Sequence, residues 1–488
     1  MAAALSLGLA TATAAPAASP PAPDRARAAK QTRTVLGEVD RVQAAGVVPA
    51  AVADGYREVY GAAKASLKKL TGARRNELGG VLRTIDAVAA AGNLTSSRMP
   101  LAFLTIRRNR EWWTTGSLLA YGQRVTFKGS SMVWQAYPGQ GIQVQWLGTF
   151  GKANSLMAGG QRRYDNALKA LLQETTSLAS VRAGGIAWES FFVFDGGAPP
   201  WVSALSQGTA LQAYSRAAVH LKDPALFDVA RSALGIFRVA PPTGVRVGTS
   251  SGANLLIYSF APKLDVLNAF TQAVNGLHDF AVLARDEEGQ RLYREAEAEL
   301  RVALPRFDTG AWSLYSLKPR ESDLGYHTLL RDFLAGLCDR TTADRRRAAR
   351  ATTRQDGGAA PVPAPPTPTS AVDPATLPDP AVYCDTAARF TADLRTPPVI
   401  ALAGRPKPAK PKRKKEVSLG YTLSKVSTVT TSVTLNGKGI AGRTVRLSRG
   451  QQRLRFTPKK AGRYAVSVRA VDLAGNAAQT SGSIAVGG

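Results

Sequence analysis

Apolar positions recur every three to four residues through most of residues 160–345, the period of a helix with one buried face. Leu211, Tyr214, Ala218 and Leu221 share a face; so do Phe270, Val274, Leu277, Ala281 and Ala284, and likewise Leu292, Ala296, Leu300 and Leu304. Asp265 stands where the second of these helices needs an N-cap. Residues 31–95 carry mixtures such as REVYGAAKASLKKL and predict two or three helices. The period shortens in residues 96–158. There Ile142, Val144 and Trp146 alternate with Gln143 and Gln145, which predicts a half-buried strand in a small antiparallel sheet. Alternation returns after 416: Tyr464, Val466, Val468 and Ala470 interleave with Ala465, Ser467 and Arg469, and Asn436-Gly437 is a hairpin signal.

The expected fold class is mainly α with added β. Residues 159–400 form a helical domain whose antiparallel hairpins curl, by analogy, into an α/α barrel, or toroid. Residues 416–488 form an immunoglobulin-like β-sandwich. A Pro-rich insertion (351–380) precedes one more helix at 382–394, and a basic linker (401–415) leads to the sandwich. Residues 1–30 read as signal peptide and linker, with a short apolar run and an Ala12-Thr13-Ala14 site, although nothing basic precedes Arg25. The localisation expected is therefore secreted, or at the cell surface or cell wall. No later run is apolar enough to span a bilayer.

Charge changes the picture most. The net charge is +28, and seven of the basic residues lie in GRPKPAKPKRKK at 404–415. That balance suits a polyanionic partner as well as a merely solvated linker. The basic run is broken by proline and has no aromatics for base stacking, so an acidic polysaccharide fits better than nucleic acid. Three histidines and two cysteines build no metal site, and no phosphate-cradling or dinucleotide motif is present. In an exported chain Cys338 and Cys384 can form one disulfide.

Candidate chemistry concentrates in Pro305 to His327, where Asp308, Trp312, Tyr315, Arg320, Tyr326 and His327 lie among turn-forming Pro and Gly. Two further segments, 194–208 and 257–270, join a turn to a helix start. Each candidate has a plainer reading: the tyrosines as packing residues, Trp201 as a buried wedge, Gln207 and Asn268 as helix-end hydrogen-bonders, Asp308 as a turn residue.

The run from about 185 to 340 resembles the C-terminal domain of the D-glucuronyl C5-epimerase family. The resemblance rests on Trp201-Val-Ser-Ala-Leu-Ser-Gln207-Gly208, on Tyr258 with Leu267-Asn268-Ala-Phe270, on Leu304-Pro305-Arg-Phe-Asp308-Thr-Gly310 with Tyr315, and on Tyr326-His327. YPGQGIQVQ (137–145) is similar to the preceding part of bacterial members. The resemblance implies inversion at C5 of a glucuronate within a polymer, without a cofactor: one group removes the proton α to the carboxylate and another returns one to the opposite face. It implies Tyr258, Tyr315 and Tyr326 as proton carriers. Arg320, by proximity, and His327 are candidates to hold the carboxylate, Trp201 and Trp312 to stack on sugar, and Gln207 and Asn268 to bond hydroxyls. Ile257 stands where animal-type members carry an acid, so tyrosines do both transfers, or Glu189 or Asp195 substitutes, or activity is lost or redirected. A polysaccharide lyase and a noncatalytic glycan- or wall-binding protein are the competing readings.

Overall fold

The computed structural model describes residues 33–318, 320–356 and 377–488. The expected signal peptide and most of the Pro-rich insertion lie outside the described residues. Four helices open the chain: α1 (Val35–Ala44), α2 (Ala50–Lys69), α3 (Gly72–Ala90) and α4 (Met99–Thr115). A small antiparallel sheet follows, in the order β1 (Arg124–Val125), β2 (Trp134–Tyr137), β3 (Gly141–Val144). Then come α5 (Trp146–Leu156), α6 (Asp165–Ser177), the hairpin β4 (Ser180–Arg182) and β5 (Gly185–Ala187), α7 (Ala204–Leu221) and α8 (Ala225–Ser232). The hairpin β6 (Arg246–Gly248) and β7 (Ala253–Leu255) leads to α9 (Leu267–Leu283) and α10 (Glu287–Ala303). The hairpin β8 (Leu314–Ser316) and β9 (Arg320–Glu321) leads to α11 (Leu324–Asp356) and α12 (Ala381–Asp393).

Residues 96–158 are therefore less β-rich than their composition implied. Met99, Leu101, Ala102, Phe103, Ile106 and Trp113 are buried along one helix, α4, whose aromatic and β-branched content resembles that of a strand. Asp265 is not a cap: Val266 holds the N-cap position of α9, and Asp265 accepts a bond from Asn254 Nδ2 at 2.6 Å. Helix α9 is buried on nearly every side, its polar Asn268, Thr271, Gln272, Asn275, His278 and Asp279 included. It crosses α7 backbone to backbone. A Cβ on Gly276 would lie 1.9 Å from Gly208 O, so only glycine allows the approach. One core runs from α1 to α12, and a disulfide between Cys338 of α11 and Cys384 of α12 spans the undescribed stretch.

The C-terminal region holds a three-stranded sheet, β10 (Ile400–Leu402), β11 (Val417–Leu423) and β14 (Gly450–Phe456), and a four-stranded sheet. The latter runs β13 (Lys438–Leu447), β12 (Ser427–Leu435), β15 (Gly462–Asp472), β16 (Ala477–Val486). Alternate residues of both sheets, among them Leu419, Val429, Leu454 and Val468, share a second core. Asn436 (φ 49°) and Gly437 (φ 77°) make the tight turn between β12 and β13. The 401–415 segment is not a free linker. Lys407 and Ser418 exchange backbone hydrogen bonds of 2.8 and 2.9 Å, and Gly487 N donates to Pro411 O. The strand content that begins at Ile400 continues the sheet, which proline and lysine in the sequence had masked.

Candidate active site

The loop before α7 and the loop after β7 are zipped together. Ser259 N donates to Val202 O, Ala204 N to Leu256 O, and Val202 N to Ser259 Oγ. These bonds bring the Trp201 and Tyr258 rings edge to face, with centroids 5.3 Å apart. A bridge between Val266 and Ser316 draws the start of α9 beside the β8–β9 hairpin. Three segments distant in sequence thus converge on one cleft of about 240 Å³, whose other wall is the small sheet. Trp201, Tyr258, Asn268 and Tyr326 line it, with Tyr121 and Tyr137 opposite.

Tyr315 stands beside the cleft. Its ring lies 4.7 Å from that of Tyr326, and the Arg320 guanidinium sits 5.1 Å above it. Burial pushes the Tyr315 phenol up to about 12; the neighbouring Tyr326 adds to the rise and Arg320 opposes it. Tyr326 is raised by burial and then by Asp323, against Arg320 and the Tyr315 hydroxyl. Tyr258 is pushed far above the ordinary phenol range, first by burial and then by the surrounding tyrosines. All three phenols hold their protons at neutral pH, and Arg320 favours the phenolate only on the Tyr315–Tyr326 side.

Asn268 differs from the rest. It is 4% exposed, and neither its Nδ2 nor its Oδ1 has a hydrogen-bond partner. A buried amide left so is a group waiting for a ligand or an ordered water.

Residues 185–351 match the family described as D-glucuronyl C5-epimerase C-terminus. That segment belongs to the C5-epimerase family. The D-glucuronyl C5-epimerase of Caenorhabditis elegans is 31% identical over 134 residues, which are 25% of this chain and 22% of that protein. The chain therefore spans less than a quarter of that relative's length. A solved structure described as a sugar epimerase from a ruminal bacterium overlaps 51% of this chain and 59% of its own. The TM-score is 0.32 and the identity 11%, so that likeness carries no argument.

Several residues expected at the site are used elsewhere. His327 is wholly buried behind the hairpin and stacks on Trp312 at 3.8 Å. Its Nδ1 accepts from Ser313 N, so the ring proton is assigned to Nε2, which donates to Phe390 O at 3.0 Å. Burial pushes its pKa down to about 4, so it is neutral and cannot clamp a carboxylate. Trp312 is equally buried, donates to Ser322 O and offers no face to a sugar. Gln207 spends its amide on the backbone of Trp188. Glu189, a candidate replacement base, is fully buried and gripped by Arg98 and Arg182. Asp195, by contrast, is exposed and close enough to raise the Tyr315 phenol. Ile257 lines the cleft as a buried apolar residue. Sequence reasoning missed Tyr121 and Tyr137 as wall residues. The Tyr137 segment carried a family signal, but nothing local marks Tyr121.

Proposed function

We propose that this protein is a uronate epimerase that inverts C5 within an acidic polysaccharide. Tyr258 supplies a proton from one side of the ring, kept on the phenol by burial. On the other side Tyr326 first passes its phenolic proton through Tyr315 to Asp195, and the resulting phenolate, favoured by Arg320, takes the C5 proton. Departure of that proton leaves a dianion at the carboxylate, and the cleft answers with hydrogen-bond donors and Arg320 rather than with a carboxylate base. The observation that carries this reading is the partnerless Asn268 amide, which lies within the C5-epimerase-family segment and is buried in a cleft lined by four tyrosines. Incubation with glucuronate polymers in deuterated water tests it: the H5 signal disappears as iduronate signals grow. No exchange across a panel of uronate polymers would sink the reading, and an ultraviolet-absorbing unsaturated product would make the protein a lyase.

The same reading takes the helices as an α/α toroid and the C-terminal sheets as an immunoglobulin-like sandwich. Supporting the second is the Tyr464 hydroxyl, which donates to Lys460 O four residues upstream in the manner of a tyrosine corner. Export from the cytosol is proposed from the Cys338–Cys384 disulfide, a bond that persists in oxidising compartments.

A further inference from the structure

The positive charge is not spread evenly. Residues 401–488 hold eighteen lysines and arginines against two carboxylates, a net +16 of the chain's +28. Both carboxylates are spoken for: Asp472 pairs with Lys425 in the interior and Glu416 with Arg455. Among the described residues these are the region's only ion pairs. In the helical region, by contrast, arginines such as Arg57, Arg231 and Arg291 each meet two carboxylates.

The unpaired cations frame a groove of about 330 Å³ on the outer face of the β10–β11–β14 sheet. Alternation turns Ser418, Gly420 and Thr422 outward as its floor, while Leu419, Tyr421 and Leu423 enter the core. Arg453 lies directly across from Gly420, and Thr422 across from Gln451. Arg405 and Lys407 supply the other wall. These two come from the segment expected to be a linker. The two backbone bonds between Lys407 and Ser418 anchor that segment's backbone against the sheet, so its cations are carried beside the groove before any partner arrives.

We propose that this groove is a second binding site, apart from the tyrosine cleft, for an acidic polysaccharide. Guanidinium and ammonium groups carried on this anchored backbone meet carboxylates or sulfates along the chain, and Gln451, on the same face as Arg453, meets its hydroxyls. A shallow, open floor suits a flexible sugar chain, and Tyr421, the aromatic residue along it, is buried in the core and leaves bases little to stack on. The inference rests on the epimerase reading only for the identity of the polymer. Its role is to hold a long substrate near the cleft, raising the local concentration of uronate units.

The test uses the full chain and a triple variant, Arg405→Ser/Lys407→Ser/Arg453→Ser. Binding to fluorescein-labelled heparin and hyaluronan is followed by anisotropy over a salt series. The wild type binds, and the triple variant binds about tenfold more weakly, with a log K against log salt slope shallower by about two to three. Its melting temperature is unchanged. On H5 exchange the variant loses efficiency on long polymer and matches wild type on a tetrasaccharide. Equal binding by variant and wild type overturns the proposal, as does tighter binding of duplex DNA than of either polysaccharide. Because the anisotropy needs no turnover, a wild type that binds through these residues but exchanges no H5 would refute the epimerase reading and leave the groove standing.

Discussion

Lys425 is the perturbation that tests most of this architecture at once. Its side chain is 1% exposed and lies where the C-terminal sheets meet the helices. Nζ pairs with Asp472 Oδ2 at 2.7 Å and donates to Asp393 O at 2.8 Å and Thr396 O at 2.5 Å. It also sits 5.2 Å over the Trp312 ring, which stacks on His327 behind the β8–β9 hairpin. Lys425→Met keeps the length of the chain and removes the charge. Asp472 is then left ionised in the interior, holding only Ala474 N and Asn476. Stranding one member of a buried pair costs roughly 3–5 kcal/mol. Guanidinium unfolding followed by circular dichroism measures it. The double variant Lys425→Met/Asp472→Leu, which removes the orphaned charge as well, recovers most of the loss. A Lys425→Met protein within about 1 kcal/mol of wild type would refute the view that this contact joins the two regions.

Other outcomes follow from the same geometry. His327 is held at a pKa of about 4 when folded against an ordinary 6.5, so its share of stability is present above pH 6.5 and drains as pH falls toward 4, by up to about 1.4 kcal/mol per unit. A His327→Gln variant lacks that part of the slope in pH-dependent melts. Asp393 runs the other way: burial raises it to about 6, and its Oδ2 has no partner. Folding therefore binds an extra proton between about 4 and 6, and stability falls as pH rises through that window. Asp393→Asn stabilises by on the order of 1 kcal/mol at pH 8 and by nothing at pH 3.5, read from paired melts. Asn268→Leu leaves stability unchanged or improved, since it removes two unpaired polar atoms, while KM for the polymer rises about tenfold.

Much of the fold was legible because its signals are local. The helical periods of α7, α9 and α10 and the alternation of β15 survive packing unchanged. The Asn436-Gly437 turn needs only two residues to declare itself. Helix α4 was not legible, because Phe103, Ile106 and Trp113 are as common in strands as in buried helices, and only the tertiary setting decides. The site divides on the same line. Tyr258, Trp201, Asn268 and Tyr326 carry family spacing and do meet. His327 carries the same spacing, and Trp312 stands near it in sequence, but both face inward: Trp312, just before β8, lies under Lys425, and His327, in the first turn of α11, bonds Phe390 O of α12. Burial of a side chain is a long-range property, and no pattern within Pro305–His327 reports the Lys425 that lies above Trp312. The basic 404–415 run likewise gave its charge but hid its anchoring, which depends on partners Ser418 and Gly487.

Proton transfer in the tyrosine cleft is tested most directly by isotope exchange at C5. In deuterated water, with a glucuronate polymer as substrate, wild type incorporates deuterium at C5 and forms iduronate. Tyr258→Phe, which removes one hydroxyl and keeps the ring packed against Trp201 and Phe260, keeps the wild-type melting temperature and forms iduronate at least about 100-fold more slowly. Iduronate formation by Tyr258→Phe at the wild-type rate would contradict the assignment of proton transfer to this cleft.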